Sequence, residues 1–187
     1  MIIGLIVLVI AVVIIFWFIG VYNNLVASKK RVENAWAQID VQLKRRHDLI
    51  PNLVNAVKGY MKFERETLEK VIQARTKAVS AKNIDEKIQA EGALGGALGR
   101  LLAIVENYPE LKANENVKQL MEELTTTENR ITYARQFYND TVTKFNTKIE
   151  IFPNNIVAGM YSSKFKPFPL FEITDESERE VPKVDLG

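Results

Sequence analysis

The sequence predicts an all-α protein: an N-terminal transmembrane helix followed by an antiparallel up-and-down bundle of long helices. Three observations carry this. From Ile2 to Val21 no side chain is charged or more polar than tryptophan. Beyond that run, apolar residues recur at gaps of three, four and seven, which marks one face of a helix. The six prolines leave long stretches rich in Ala, Leu, Glu, Lys, Gln and Arg, all good helix formers. No run alternates with period two for long enough to argue a sheet.

Twenty helical residues at about 1.5 Å each span roughly 30 Å, the thickness of a bilayer's hydrocarbon layer. A cleaved signal peptide is the competing reading. Against it, no basic residue precedes the run, and the run exceeds the usual core of about 7–15 residues. The flank Tyr22-Asn23-Asn24-Leu25 offers no small-x-small cleavage site. With no cysteine in the chain, a lipid-modified N-terminal Cys is excluded. Lys29, Lys30 and Arg31 follow the run, with Lys44, Arg45 and Arg46 further on. The positive-inside rule then places the N-terminus outside and the C-terminal domain in the cytoplasm. The expected organisation is a transmembrane anchor over residues 1–23, a helical bundle over 24–150 and an extended proline and aromatic tail over 151–187.

Each bundle helix is read from its period. The first carries Leu25, Val32, Trp36, Ile39, Leu43 and Ile50, and continues straight out of the membrane. Pro51 is expected to end or kink it, because the ring removes a backbone donor and crowds the preceding turn. A second helix starts at Pro51 and runs to about Ala81 with Val54, Val57, Met61, Leu68, Val71 and Ile72. If Pro51 imposes only a modest kink, the first two helices are one, and four segments become three. Asn83 or Asp85 caps a third helix carrying Ile88, Leu94, Leu98, Leu101, Leu102 and Val105. The fourth and longest starts near Asn114 or Asn116 and stops before Pro153. Its face is Val117, Leu120, Leu124, Ile131, Tyr138, Val142, Phe145 and Ile149. Extended backbone is expected only in the tail, near 155–159 or 164–171.

Charged residues interrupt these stripes. Arg46 lies three after Leu43, Glu64 three after Met61, and Arg75 four after Val71; Glu128 and Arg135 break the fourth stripe, with Asn139 and Asn146 close by. A buried charge is costly unless paired and hydrogen-bonded. Arg46, Glu64, Arg75, Glu128, Arg135 and Asn139 therefore read as a structural polar layer meeting across the bundle, with Glu64 and Glu128 neutralising arginines. A polar cavity or proton site is the functional alternative to a layer that fixes register.

No catalytic, cofactor or metal constellation is predicted. Di-iron bundles need two Glu-x-x-His pairs; this chain has one histidine, His47, which beside two arginines reads as a surface residue. The stretch from Gly92 to Gly99 lacks the Gly-Lys-Ser/Thr of a P-loop. It reads as tight helix packing, with a hinge or a partner-docking groove as the alternative. There is no nucleophile elbow, and the basic clusters lack the signatures of nucleic-acid binders. Net charge is +2, but the chain from Phe171 onward carries six acids and two bases, so the rest is about +6. A basic surface beside a membrane suits anionic headgroups; an ordinary solvated helix face is the alternative. The tail Phe165-Lys166-Pro167-Phe168-Pro169-Leu170-Phe171 either folds back along the bundle or lies in a neighbour's groove as a proline-rich segment. Residues from Thr174 onward read as disordered in isolation.

The block Asn34-Ala-Trp-Ala-Gln-Ile-Asp-Val-Gln-Leu-Lys-Arg-Arg-His-Asp-Leu-Ile-Pro-Asn-Leu53 resembles that of LemA family proteins. Val57-Lys-Gly-Tyr60 with Glu64, Glu106-Asn-Tyr-Pro-Glu-Leu-Lys-Ala-Asn-Glu115, Thr127-Glu-Asn-Arg-Ile131 running to Ala134-Arg135 and Tyr138-Asn139, and Phe152-Pro153-Asn154 agree with it. The resemblance covers nearly the whole chain. It implies a bacterial inner-membrane protein with a helical cytoplasmic domain, no established enzymatic activity and no agreed catalytic residues. A relative in magnetosome-forming bacteria is associated with making membrane compartments, and family genes often neighbour those of membrane proteases.

The expected function is a non-enzymatic, membrane-anchored scaffold that self-associates and organises or remodels the membrane. The alternative is an adaptor or regulator of a membrane protein complex such as a membrane protease; an undiscovered enzyme or metal-binding bundle is a third. Expected partners are the lipid bilayer through residues 2–21, further copies of the chain and a membrane protein; no nucleic acid and no cofactor are expected.

Overall fold

Helix formation dominates because the chain supplies good helix formers between few breakers, and each helix then buries one apolar stripe. The computed structural model describes residues 2–61 and 64–172. Among these residues there is no strand, and six helices follow in order: α1 (Ile2–Lys58), α2 (Arg65–Ser80), α3 (Ile84–Val105), α4 (Pro109–Ala113), α5 (Glu115–Glu150) and α6 (Asn154–Met160). The all-α class with an N-terminal apolar helix is thus what the sequence predicted. The reading of Thr174 onward lies outside the described residues.

The chain divides into two compact units: Met1–Asp40 with Tyr133–Leu170, and Val41–Thr132 with Phe171–Gly187. In the first, Leu25, Val32, Ala35 and Ile39 of α1 are buried, as are Tyr138, Val142 and Phe145 of α5 and Val157 of α6. Trp36 meets Tyr138 edge-on at 5.3 Å, and Lys148 donates to Asn24 and Ser28. Partners on α5 thus fall in number as those on α1 rise, so the two run antiparallel here. In the second unit, one core joins Ile50, Leu53, Val54, Val57 and Met61 to Leu68 and Val71 of α2, Leu94, Leu98, Leu101 and Val105 of α3, Leu111 of α4, and Val117 and Leu124 of α5.

The caps follow local chemistry. The Asn83 side chain, on extended backbone, accepts from the Glu86 amide at 2.8 Å, and Glu86 reaches back to the Lys82 amide at 3.0 Å. The first satisfies a donor that a helix start leaves orphaned. Asn114 caps α5 by accepting from the amides of Asn116 and Val117. Pro109 occupies the first position of α4, where its fixed φ costs nothing.

Three local expectations change. Pro51 does not end the first helix: α1 passes through it and stops at Lys58, but α1 and α2 do not merge either, since a separate α2 begins at Arg65. The chain turns instead at Gly59 and Tyr60, where the amides of Tyr60 and Met61 both donate to the Val57 carbonyl. Ile72, placed on the buried stripe of α2, is exposed, while Leu68, Val71 and Ala78 form its buried face. Residues 155–159 are helical within α6, whose inner face buries Val157 and Ala158.

The Pro-aromatic segment folds back onto its own chain. Asn146 holds the Phe168 backbone from both sides, donating to its carbonyl at 2.9 Å and accepting from its amide at 3.0 Å. The Tyr138 hydroxyl donates to the Pro169 carbonyl at 2.9 Å, and the Phe168 ring stands edge-on to Phe145. Asn146, noted only as a polar interruption, is therefore the clamp for a segment whose prolines cannot donate hydrogen bonds.

Candidate functional site

The most polar interior feature lies in the Val41–Thr132 unit and is built from four helices. Arg46 sits on the buried face of α1, three residues after Leu43, because the helical period leaves it nowhere else to point. Its Nη1 donates to both carboxylate oxygens of Glu128 on α5, at 2.8 and 3.0 Å. Its Nη2 donates to the Glu91 carboxylate on α3. His47, the next residue, places Nε2 2.7 Å from the other oxygen of Glu91. From α2, Arg75 Nε donates to the His47 backbone carbonyl at 2.7 Å.

That last bond explains how α1 survives Pro51. A proline inside a helix leaves the carbonyl four residues earlier without its usual donor, and four before Pro51 is His47. The Arg75 guanidinium supplies the missing donor. A charged residue that interrupts one helix's stripe thus repairs the backbone of another.

Electrostatics follow from burial and pairing. Glu91 is almost completely buried. Burial by itself raises a carboxyl's pKa, but the hydrogen bond from His47 and the charge of Arg46 outweigh it and hold Glu91 below its ordinary value. Arg46 shows the mirror image: burial disfavours its charge, yet Glu128 and Glu91 hold its pKa above the ordinary value. An arginine fork matched to two carboxylates is the charge-assisted geometry that compensates desolvation. The carboxylate oxygens are engaged by nitrogen donors within the protein, so the arrangement is suited to holding four helices in register. Among the described residues no group of three or more His, Asp and Glu could hold a metal ion.

Of the residues proposed from sequence as a polar layer, Arg46, Glu128 and Arg75 come together here. Glu64 does not neutralise an arginine among the described ion pairs; it occupies the N-cap of α2, where its carbonyl accepts from the amides of Thr67 and Leu68. Arg135 and Asn139 are half-buried on α5 and belong to the other unit. His47 is not the surface residue expected, since its ring is largely covered and bound to Glu91. Glu91 was missed, although it lies three after Ile88 and three before Leu94. As with Arg46, the signal is a charge on an apolar stripe.

Gly95, Gly96 and Gly99 are not in tight packing within this chain. A Cβ added at Gly95, Gly96 or Gly99 meets nothing within 4 Å. Instead, Gly92, Gly96 and Ala97 of α3 line an open groove of about 730 Å³ with Thr67, Lys70 and Arg100.

The N-terminal part of α1 is the other candidate. Every residue from Ile2 to Trp17 is exposed, and Phe18 is the first whose surface is partly covered. By length and composition α1 is able to cross a membrane, as is α3; α3, however, buries Ile88, Leu94, Leu98 and Leu101 in the core. Together these features define an all-helical protein with a span-length apolar helix leading into a bundle locked by buried ion pairs.

Comparison with known proteins makes that class specific. The profile of the LemA family matches residues 35–186, and the chain belongs to that family. It is 29% identical over 173 residues to Protein LemA of Metamycoplasma hominis, covering 91% of this chain and 75% of that protein. It is 26% identical over 163 residues to Magnetosome protein MamQ 2 of Paramagnetospirillum magneticum. The Magnetosome protein MamQ of Magnetospirillum gryphiswaldense is 25% identical over the same length. Each magnetosome match covers 73% of this chain, which spans only 60% of either relative.

Proposed function

We propose that this chain is a non-enzymatic membrane-anchored scaffold that self-associates and organises or remodels the bacterial inner membrane. The observation that carries the reading is the apolar stretch of α1: a span-length run, exposed throughout from Ile2 to Trp17, in a helix that continues without a break to Lys58. An exposed apolar surface of that length is stable only in lipid or against another protein. Lys29, Lys30 and Arg31 lie just after it, and by the positive-inside rule they favour the N-terminus outside and the bundle in the cytoplasm. The likeness to proteins named for magnetosomes supports a role at membranes. Weak contacts between copies held in one bilayer gain from their high effective concentration.

The open groove on α3 favours a second reading, an adaptor or regulator of a membrane protein complex. Its glycines leave room for a partner's backbone to approach closely. Electron microscopy of the full-length protein in mild detergent, beside a version starting at Leu25, separates the two. The scaffold reading expects large closed particles that disperse without the anchor. Uniform small particles from both forms reject self-assembly and leave the adaptor reading standing.

A further inference from the structure

The unit formed by Met1–Asp40 and Tyr133–Leu170 carries a second apolar surface, next to the end of the span. Phe152 is 77% exposed, Met160 67%, and Ile151 and Ile156 49% each. Val157 and Ala158 are the buried face of α6, so Ile156 and Met160 point the other way. From Ile151 to Ser163 there is no charged residue. Lys148 and Glu150 precede this stretch, and Lys164 and Lys166 follow it.

Its depth relative to the span is set by ring contacts. Tyr161 lies 6.4 Å from Phe18 and 5.1 Å from Tyr22, centroid to centroid, and Tyr22 also meets Phe165. Lys164 bonds the Tyr22 hydroxyl and sits 4.8 Å from its ring centre. The fully exposed stretch, residues 2–17, is about 24 Å long at 1.5 Å per residue, whereas a hydrocarbon layer is about 30 Å thick. The missing turn is Phe18–Val21, the turn against which Tyr161 packs. A bilayer that covers the whole apolar run therefore reaches the level of Tyr161 and of the turn of α6 that leads to it. Tyrosines at that level, with lysines beyond them, match the preference of amphipathic rings and long cationic side chains for the interface.

We propose that Ile151–Tyr161 is a second membrane contact, an in-plane foot whose exposed face enters the headgroup–acyl boundary of the leaflet through which α1 leaves. The occupant of this surface is the phospholipid bilayer itself. Phe152, Ile156 and Met160 supply the apolar face, and Lys164 and Lys166 lie where anionic headgroups are found. Two attachment points on the unit formed by Met1–Asp40 and Tyr133–Leu170 fix that unit's tilt and add apolar volume to a single leaflet, which gives the scaffold a means of bending the membrane. This inference rests on the anchor reading above.

The chain has no cysteine, so single labels are placed cleanly in the full-length protein. Phe152→Cys and Ile156→Cys probe the foot, Leu8→Cys the span, and Tyr133→Cys an exposed site on α5; all four positions are exposed, so the fold is spared. Each variant carries an environment-sensitive fluorophore in phosphatidylcholine vesicles containing phosphatidylglycerol, and is quenched by aqueous iodide or by a lipid-borne nitroxide at a shallow acyl position. The foot labels are expected to be several-fold less accessible to iodide than the Tyr133 label and strongly quenched by the shallow nitroxide. Iodide access equal to that at position 133, with the Leu8 label still shielded, overturns the foot and keeps the anchor. Iodide access at Leu8 overturns both. Foot labels shielded from iodide yet blind to the nitroxide show a second copy covering this face, which also overturns the proposal.

Discussion

In the unit formed by Met1–Asp40 and Tyr133–Leu170, rings and tail backbone hold the chain together. Trp36 stands on Tyr138, Phe168 on Phe145, and Tyr22 on Tyr161 and Phe165, with Asn146 clamping the proline-rich segment. In the Val41–Thr132 unit the core is aliphatic, and a buried ion cluster ties α1, α2, α3 and α5. The difference teaches how each unit is specified. Bulky rings have few good mutual arrangements, so they define position by shape. Leucines and valines repack more freely, and there the directional fork of Arg46 selects one register.

Arg46→Met is the severest way to break this contrast. It leaves Glu91 buried, and Glu128 partly exposed beside it, without their arginine, a loss of about 3–5 kcal/mol. Thermal unfolding in detergent is expected to drop by roughly 10 °C, at about 2–4 °C per kcal/mol for a chain of this size. Phe145→Ala in the ring-packed unit costs a comparable 3–5 kcal/mol or so, through a cavity. The two differ in rescue. Combining Arg46→Met with Glu91→Leu and Glu128→Leu is expected to recover most of the loss, because apolar groups replace buried ion pairs at little cost. Failure of the triple variant to recover shows that the cluster has a role apolar packing cannot fill.

A smaller effect tests the repair at Pro51. Arg75→Met is expected to cost about 1 kcal/mol, since the partly buried His47 carbonyl loses its donor. Pro51→Ala restores a backbone N–H four residues on, so in that background Arg75→Met should cost clearly less. Additive losses in the double-mutant cycle, read by denaturant unfolding, refute the pairing.

The smallest effect is pH dependence. Glu91 is held below the ordinary carboxylate value of 4.5 in the folded chain. Its contribution is therefore present above that value and is lost as pH falls through the folded pKa. Melting temperature is expected to decline on acidification below 4.5 in the parent and in Phe145→Ala, and to decline less in Glu91→Gln. Parallel curves for all three assign the acid sensitivity to other groups.

Legibility in the sequence differed between the same regions. Helices, stripes and caps were readable, because period and Asn-type caps act within a few residues of chain. Arg46, Arg75 and Glu128 were legible as charges on apolar stripes, while their partners were not. Glu91 obeyed the same rule and was masked by the glycines after it. His47 looked exposed because its neighbours on the chain are arginines, whereas its neighbour in space is Glu91. The glycines of α3 read as packing contacts, whereas Gly92 and Gly96 line an open groove.

By itself the sequence determined the all-α class, the span-length apolar run and most of the buried faces of α1, α3 and α5. These are properties of local composition and period, which no distant contact needs to supply. Tertiary structure decided where the first helix stops, what satisfies Arg46, and that the residues after Pro153 form a helix beside Tyr22. Each of those outcomes turns on a partner far along the chain. Pro51 is tolerated because Arg75 reaches His47, Arg46 is buried because α3 and α5 present carboxylates, and α6 is placed by rings on α1. A helical period states that a face is buried; only the folded chain states against what.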